Sequence, residues 1–151
     1  MSSNERYIPK WFELYELLPP DEYTLADYEN IKENQPGWCK LDERLLITVD
    51  VIRGIIGEPL ICNTWFQDGS RRFSGLRSRN CKIGASMSMH KEGKAADLIC
   101  RKYTGEQMRQ MIVENQDKLP YPIRIESNVE WLHFDLKDMD YKGNKIYFFK
   151  G

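Results

Sequence analysis

The chain holds two histidines, and carboxylates surround both. His90 lies in "SMSMHKEGKAADLIC", residues 86–100, and His133 lies in "EWLHFDLK", residues 130–137. Imidazole nitrogen and carboxylate oxygen both bind borderline divalent cations such as Zn²⁺, and two His with one carboxylate make a common catalytic set that keeps one position for water. Such an ion lowers the pKa of the water, and a nearby carboxylate takes its proton as it attacks a carbonyl. His90, Asp97 and His133 offer the ligands, and Glu130, three residues before His133, offers the base. Gly93 permits a tight turn after His90. Ala95 and Ala96 leave the following backbone uncrowded, so Asp97 can reach back to the same ion. A histidine is more often a surface or satisfied core group, so spacing alone leaves a structural reading open beside the metal reading.

Two such stretches can meet only if a fold brings them together. Trp11, Leu14, Tyr15, Leu17 and Leu18 predict a short helix that Pro19 and Pro20 stop. Residues 19–39 are polar and turn-rich, with no element assigned. "LDERLLITVDVIRGIIG" is the clearest helix: Leu45, Leu46, Val49, Ile52, Ile55 and Ile56 recur at three and four, and Gly57 suits its C-cap. "PLICNTWF" reads as a strand, "DGSRRFSGLRSRNCKIGAS" as a long ordered loop, and "KAADLICRK" as the approach to a buried strand. "TGEQMRQMIVENQ" reads as a helix, with a Thr104–Gln107 capping box and a stripe of Met108, Met111 and Ile112. "YPIRIES", "EWLHFDLK" and "KIYFF" read as three strands on short turns. Helices first and an antiparallel meander last predict an α+β domain with flanking helices.

Composition narrows the function classes. The 151 residues, 41% hydrophobic and 30% charged, suit one soluble domain spanning 1–151. A net charge of −1 with interspersed signs gives no field to attract nucleic acid or anionic lipid. "MSSNERYIPK" lacks the apolar run of a signal peptide, and no segment reaches membrane-span length, so synthesis in the cytoplasm is expected. Cys39, Cys62, Cys81 and Cys100 form no C-x-x-C pair. Free thiols are the expectation, because Cys62 and Cys100 sit in apolar runs.

"SMHKEGKAAD" matches the S-x-H-x-x-G-x-A-x-D signature of the zinc DD-peptidases, and "EWLH" resembles the E-x-x-H of that family's second half. "FSGLRS" resembles its S-G-Y-R-S, with Leu76 in place of Tyr. The resemblance spans residues 73–136. It implies the fold shared by D-Ala-D-Ala carboxypeptidases and dipeptidases, phage L-alanyl-D-glutamate endopeptidases and the Hedgehog signalling domain. It also implies Zn²⁺ on His90, Asp97 and His133, Arg77 on a substrate carboxylate or developing oxyanion, and Ser88 as a substrate-contacting hydroxyl. The family position makes Glu130 the base. A hairpin of "PIRIE" and "WLHFD" with a four-residue loop makes Glu126 a rival, because it sets Glu126 opposite Trp131 and on the His133 face. Asp135 shares that face and can accept from an imidazole N–H, or be a solvated strand acid. Trp131 either walls the cleft or packs at its rim.

The expectation is therefore a metallopeptidase, a monomer that hydrolyses a stem-peptide bond of bacterial peptidoglycan, either D-Ala-D-Ala or L-Ala-D-Glu. The layout is similar to short phage members, so the enzyme is expected to reach the cell wall after release or as part of a virion. The alternative is a non-catalytic zinc-binding module of the same fold, structural or wall-binding.

Overall fold

A computed structural model describes residues 6–79, 81 and 88–151. The beginning of the chain, part of the expected Asp68–Ser86 loop, and Ser86 and Met87 of the histidine motif lie outside the described residues. The described residues form one small α+β domain with four helices and a four-stranded mixed sheet.

The helices are α1 (Leu14–Leu17), α2 (Leu25–Glu29), α3 (Glu43–Ile56) and α4 (Gly105–Glu114). Helix α3 forms where the apolar period predicts it. Asp42 caps its N-terminus, accepting from the Arg44 N–H at 2.9 Å, and Gly57 ends it in the left-handed region at φ 74°. Leu45, Leu46, Val49 and Ile52 are fully buried, and Ile55 packs partly against them. Helix α4 carries the expected capping box between Thr104 and Gln107, and its buried stripe is Met108 and Ile112. Helix α1 is a single turn, shorter than its apolar pattern predicts. Phe12, Leu14, Leu17 and Leu18 are buried, whereas Trp11 lies outside the turn, half exposed, with the Arg53 guanidinium 4.2 Å from its ring.

The strands are β1 (Ala95–Leu98), β2 (Ile123–Glu126), β3 (Leu132–Asp135) and β4 (Ile146–Phe149), in the order β1-β3-β2-β4. Strand β3 is antiparallel to both β1 and β2, but β4 runs parallel to β2, so the expected antiparallel meander is corrected to a mixed sheet. The reason lies in edges. Both edges of β3 are taken, one by β1 and one by β2, and the outer side of β1 meets the Ser74 carbonyl and Ile61, so the last strand adds to the outer edge of β2. Residues 136–145 carry it past the start of β2, where the Ile123 N–H donates to the Lys145 carbonyl.

The expected strand over "PLICNTWF" is also corrected: it makes one bridge, Ile61 to Ile99, and then leaves the sheet. Asn63 draws it away. Its backbone N–H donates to Glu16, its side-chain amide donates to Leu18, and its side-chain oxygen accepts from the Ser74 N–H. Asn63 and Ser74 are buried, so their polar groups must be paired.

Alternation along the strands gives the sheet two faces. Ala96, Leu98, Ile123, Ile125, Leu132 and Phe134 are fully buried in the common core, with α4 against β3 and α3 against α4. Asp97, His133, Asp135, Arg124, Glu126 and Phe149 share the other face. All four cysteines are free thiols, as expected. No helix among the described residues is long and apolar enough to cross a membrane.

Candidate metal centre

The site is built on β1 and β3, where Asp97 stands directly opposite His133. His90 comes from a single 3₁₀ turn, Met89–Glu92, that runs up to β1. Gly93 ends this turn in the left-handed region at φ 71°, and a Cβ there would lie 2.5 Å from the Lys40 carbonyl. Only glycine fits both demands. A strap of four residues, Ser74–Arg77, holds these elements together. The Ser74 carbonyl accepts from the Asp97 N–H at 2.7 Å, the Gly75 carbonyl from His90 Nδ1 at 2.8 Å, and the His90 carbonyl from the Arg77 N–H at 3.0 Å. Gly75 lies so close to the Leu17 carbonyl that a side chain there would collide with it.

His90, Asp97 and His133 are all buried, and one ligating atom from each lies within 4.8 Å of the others. This group could hold a metal ion. The donor chemistry makes the same point. A carbonyl only accepts, so His90 Nδ1 facing the Gly75 carbonyl carries the proton. This leaves Nε2 as the nitrogen that faces Asp97 Oδ2, 3.4 Å away. His133 is held from both sides, donating through Nδ1 to Asp97 Oδ1 at 2.7 Å and through Nε2 to Asp135 Oδ2 at 2.8 Å. A carboxylate behind the outer nitrogen is the arrangement that orients metal-binding imidazoles.

The electrostatics follow from these contacts. Burial works against the charged form of His133, but the hydrogen bonds to Asp135 and Asp97 outweigh it and lift the imidazole to about 9. Burial likewise opposes ionised Asp97, yet the hydrogen bonds from His133 and His90 hold it well below the usual carboxylate range. Asp135 is also lowered: burial is overcome by His133 and by the Arg124 guanidinium.

Other residues singled out in the sequence are placed as follows. Arg77 joins the group, its guanidinium 3.6 Å from Asp97 Oδ2. Ser88 caps the His90 turn, its hydroxyl oxygen accepting from the His90 N–H at 3.2 Å. Glu126 ends β2, half-buried, on the His133 face. Its partner is corrected: Arg124 opposes Asp135 and Ile125 opposes Phe134, which puts Glu126 level with His133 rather than Trp131. The wider turn arises because the Ser127 N–H bonds to Phe149 on β4, while the Trp131 carbonyl accepts from Arg109 on α4. A slip of two residues leaves every side chain on its face. Glu130 is exposed in that turn. It lines a cavity of about 530 Å³ with Val129 and residues 99–106, 108 and 109. Trp131 is 38% exposed at the rim. Among the described residues, neither Glu126 nor Glu130 hydrogen-bonds to His90, Asp97 or His133.

Three contributors were not legible in the sequence: the Gly75 carbonyl, Arg124 and Phe149. A carbonyl has no sequence signature. Arg124 carried one signal, an opposite charge to Asp135 on a neighbouring strand, which becomes visible only in the correct register. Comparison of the chain with protein-family models, with curated proteins and with solved structures found no match.

Proposed function

We propose that the protein is a zinc-dependent peptidase acting on the stem peptides of bacterial peptidoglycan. One observation carries the reading: His90, Asp97 and His133 converge in one buried group, and these are the residues that the zinc DD-peptidase motif names as ligands. Two imidazoles and a carboxylate suit zinc better than the oxygen-preferring calcium or magnesium. When bound, zinc supplies Lewis acidity and lowers the pKa of water to about 7. Arg77 is positioned to steady a carboxylate or developing oxyanion beside Asp97. Glu130 is the proposed base, with Glu126 its rival. It takes a proton from the attacking water as the C–O bond forms and passes it to the leaving amine as the C–N bond breaks. The place of action is then the cell wall, reached after release from a cell or as part of a phage particle.

The test is mass spectrometry of purified peptidoglycan incubated with zinc-loaded protein. New stem-peptide fragments, with the cut at D-Ala-D-Ala or L-Ala-D-Glu, are expected. A second reading, a non-catalytic zinc-binding module, is favoured by the position of Glu130 in an exposed turn that contacts no ligand. Intact stem peptides after incubation with fully zinc-loaded protein would establish it.

A further inference from the structure

Asp135 is fully buried, and every acceptor position on its carboxylate is used. Oδ2 accepts from His133 Nε2 at 2.8 Å and from Arg124 Nη2 at 2.8 Å. Oδ1 accepts from Arg124 Nε at 2.8 Å and from the Lys137 N–H at 3.2 Å. Arg124 and Asp135 are direct cross-strand partners on β2 and β3, so the guanidinium fork meets the carboxylate edge-on through two bonds. Phe149, on β4, closes the other side. Its ring lies 3.8 Å from Arg124 Cζ, and its centroid is 5.7 Å from that of His133. A continuous line of contacts therefore runs Phe149, Arg124, Asp135, His133, Asp97, across all four strands.

We propose that Arg124, held under Phe149, is the positioning residue of the metal centre: it fixes the Asp135 carboxylate so that His133 donates from Nε2 and keeps Nδ1 for the ion. This deepens the reading of the His90–Asp97–His133 group as a metal site and rests on it. An aspartate alone can rotate about its side-chain bonds and take either imidazole nitrogen as partner. The two-point grip of Arg124 removes that freedom, since both oxygens are committed. The aromatic face over the guanidinium holds the grip in turn. Lysine cannot copy it, having one point charge and no planar fork. The arrangement also gives β4 a task at the site, because the strand carries none of the ligands.

The experiment measures Zn²⁺ affinity by competition with a chromophoric chelator, and the visible absorption of the Co²⁺-loaded protein, for the parent chain, Arg124→Ala, Arg124→Lys and Phe149→Leu. Loss of a group that orients a metal-binding histidine typically costs about 10–100-fold in affinity, and that loss is expected for Arg124→Ala. Arg124→Lys should fail to restore the parent value, and Phe149→Leu should lose less. The Co²⁺ bands should shift in Arg124→Ala, because the His133 ring turns or changes its bonded nitrogen; a residue that only holds strands together leaves them in place. If Arg124→Ala does not fold by circular dichroism, Arg124→Lys and Phe149→Leu carry the test. Parent-like affinity and unchanged Co²⁺ bands in the folded variants overturn the proposal. A parent chain that binds neither metal overturns it together with the metal site. Zinc bound, and weakened by Arg124→Ala, in a protein that releases no peptide fragments supports this inference while removing the peptidase reading.

Discussion

Asp97 and His133 face each other on neighbouring antiparallel strands, and the carboxylate accepts from the imidazole at 2.7 Å. The ladder itself sets this distance, since directly opposed residues have their Cβ atoms about 4.5–5.5 Å apart. Two of the three candidate ligands are thus placed by strand pairing, and only His90 depends on a turn. The strap and Gly93 deal with that one.

Metal removal tests the group as a unit. At zinc about a hundredfold above Kd, binding stabilises the folded state by about 2.7 kcal/mol. For a chain of this size that corresponds to about 5–10 °C in melting temperature. Chelation should therefore lower Tm by that amount, and reloading should restore it, as read by calorimetry. His90→Ala and His133→Ala should show no zinc-dependent shift. The metal-free chain should stay folded, because α3, α4 and the inner sheet face form a core that includes none of the ligands. An unfolded apo protein would show instead that the metal is needed for folding.

The two glutamates are separated by isosteric replacement. Glu130→Gln should bind zinc normally and lose about 10²–10⁴-fold in peptidoglycan hydrolysis, the usual cost of a missing general base. Glu126→Gln should have the smaller effect. Reversed losses would make Glu126, level with His133 on β2, the base. No loss in either, with an inactive parent, would leave the binding module.

Gly105→Ala probes the turn that carries Glu130. A Cβ at Gly105 would lie 2.6 Å from the Glu130 carbonyl and 2.8 Å from the Trp131 carbonyl. Within a helix, alanine normally gains about 1 kcal/mol over glycine. Here the collision should reverse the sign and lower Tm. Zinc affinity should hold, since the ligands lie elsewhere, and hydrolysis should fall if Glu130 is the base. A higher Tm with full activity would show that the turn moves aside freely.

Asp42 links helix capping to pH. The side-chain hydrogen bond from Arg44 holds its carboxyl below the usual range, against a smaller opposing effect of burial. A depressed folded-state pKa means stability that is present above the unfolded carboxylate value of about 3.9 and is lost as pH falls through the folded value. Asp42→Ala should cost about 1 kcal/mol at neutral pH through the lost cap. Asp42→Asn should keep most of the cap but flatten the acid side of the stability profile. Denaturant melts from neutral pH down to pH about 3 would show both, and an unchanged acid limb in Asp42→Asn would remove the Asp42 carboxylate as a source of acid lability.

The sequence by itself determined α3 and α4 with their caps, the strand positions of Asp97 and His133, a turn at Gly93, and the three candidate ligands. These are local signals: a 3.6-residue period, a capping pair, a glycine that permits a tight turn. Only the tertiary structure decided the neighbours. Strand β4 lies beside β2 because β1 and β2 hold both edges of β3, and Ser74 and Ile61 meet the outer side of β1. The segment after Ile61 left the sheet because Asn63 is tied to α1 and to the strap. The β2–β3 register, two residues away from a tight hairpin, came from the competing pulls of α4 on Trp131 and of β4 on Ser127. That same register brought Arg124 opposite Asp135, whereas the tight hairpin sets Arg124 opposite His133. Pairing partner and register depend on which edges and polar groups remain open once the rest of the chain has packed, and no window of sequence holds that information.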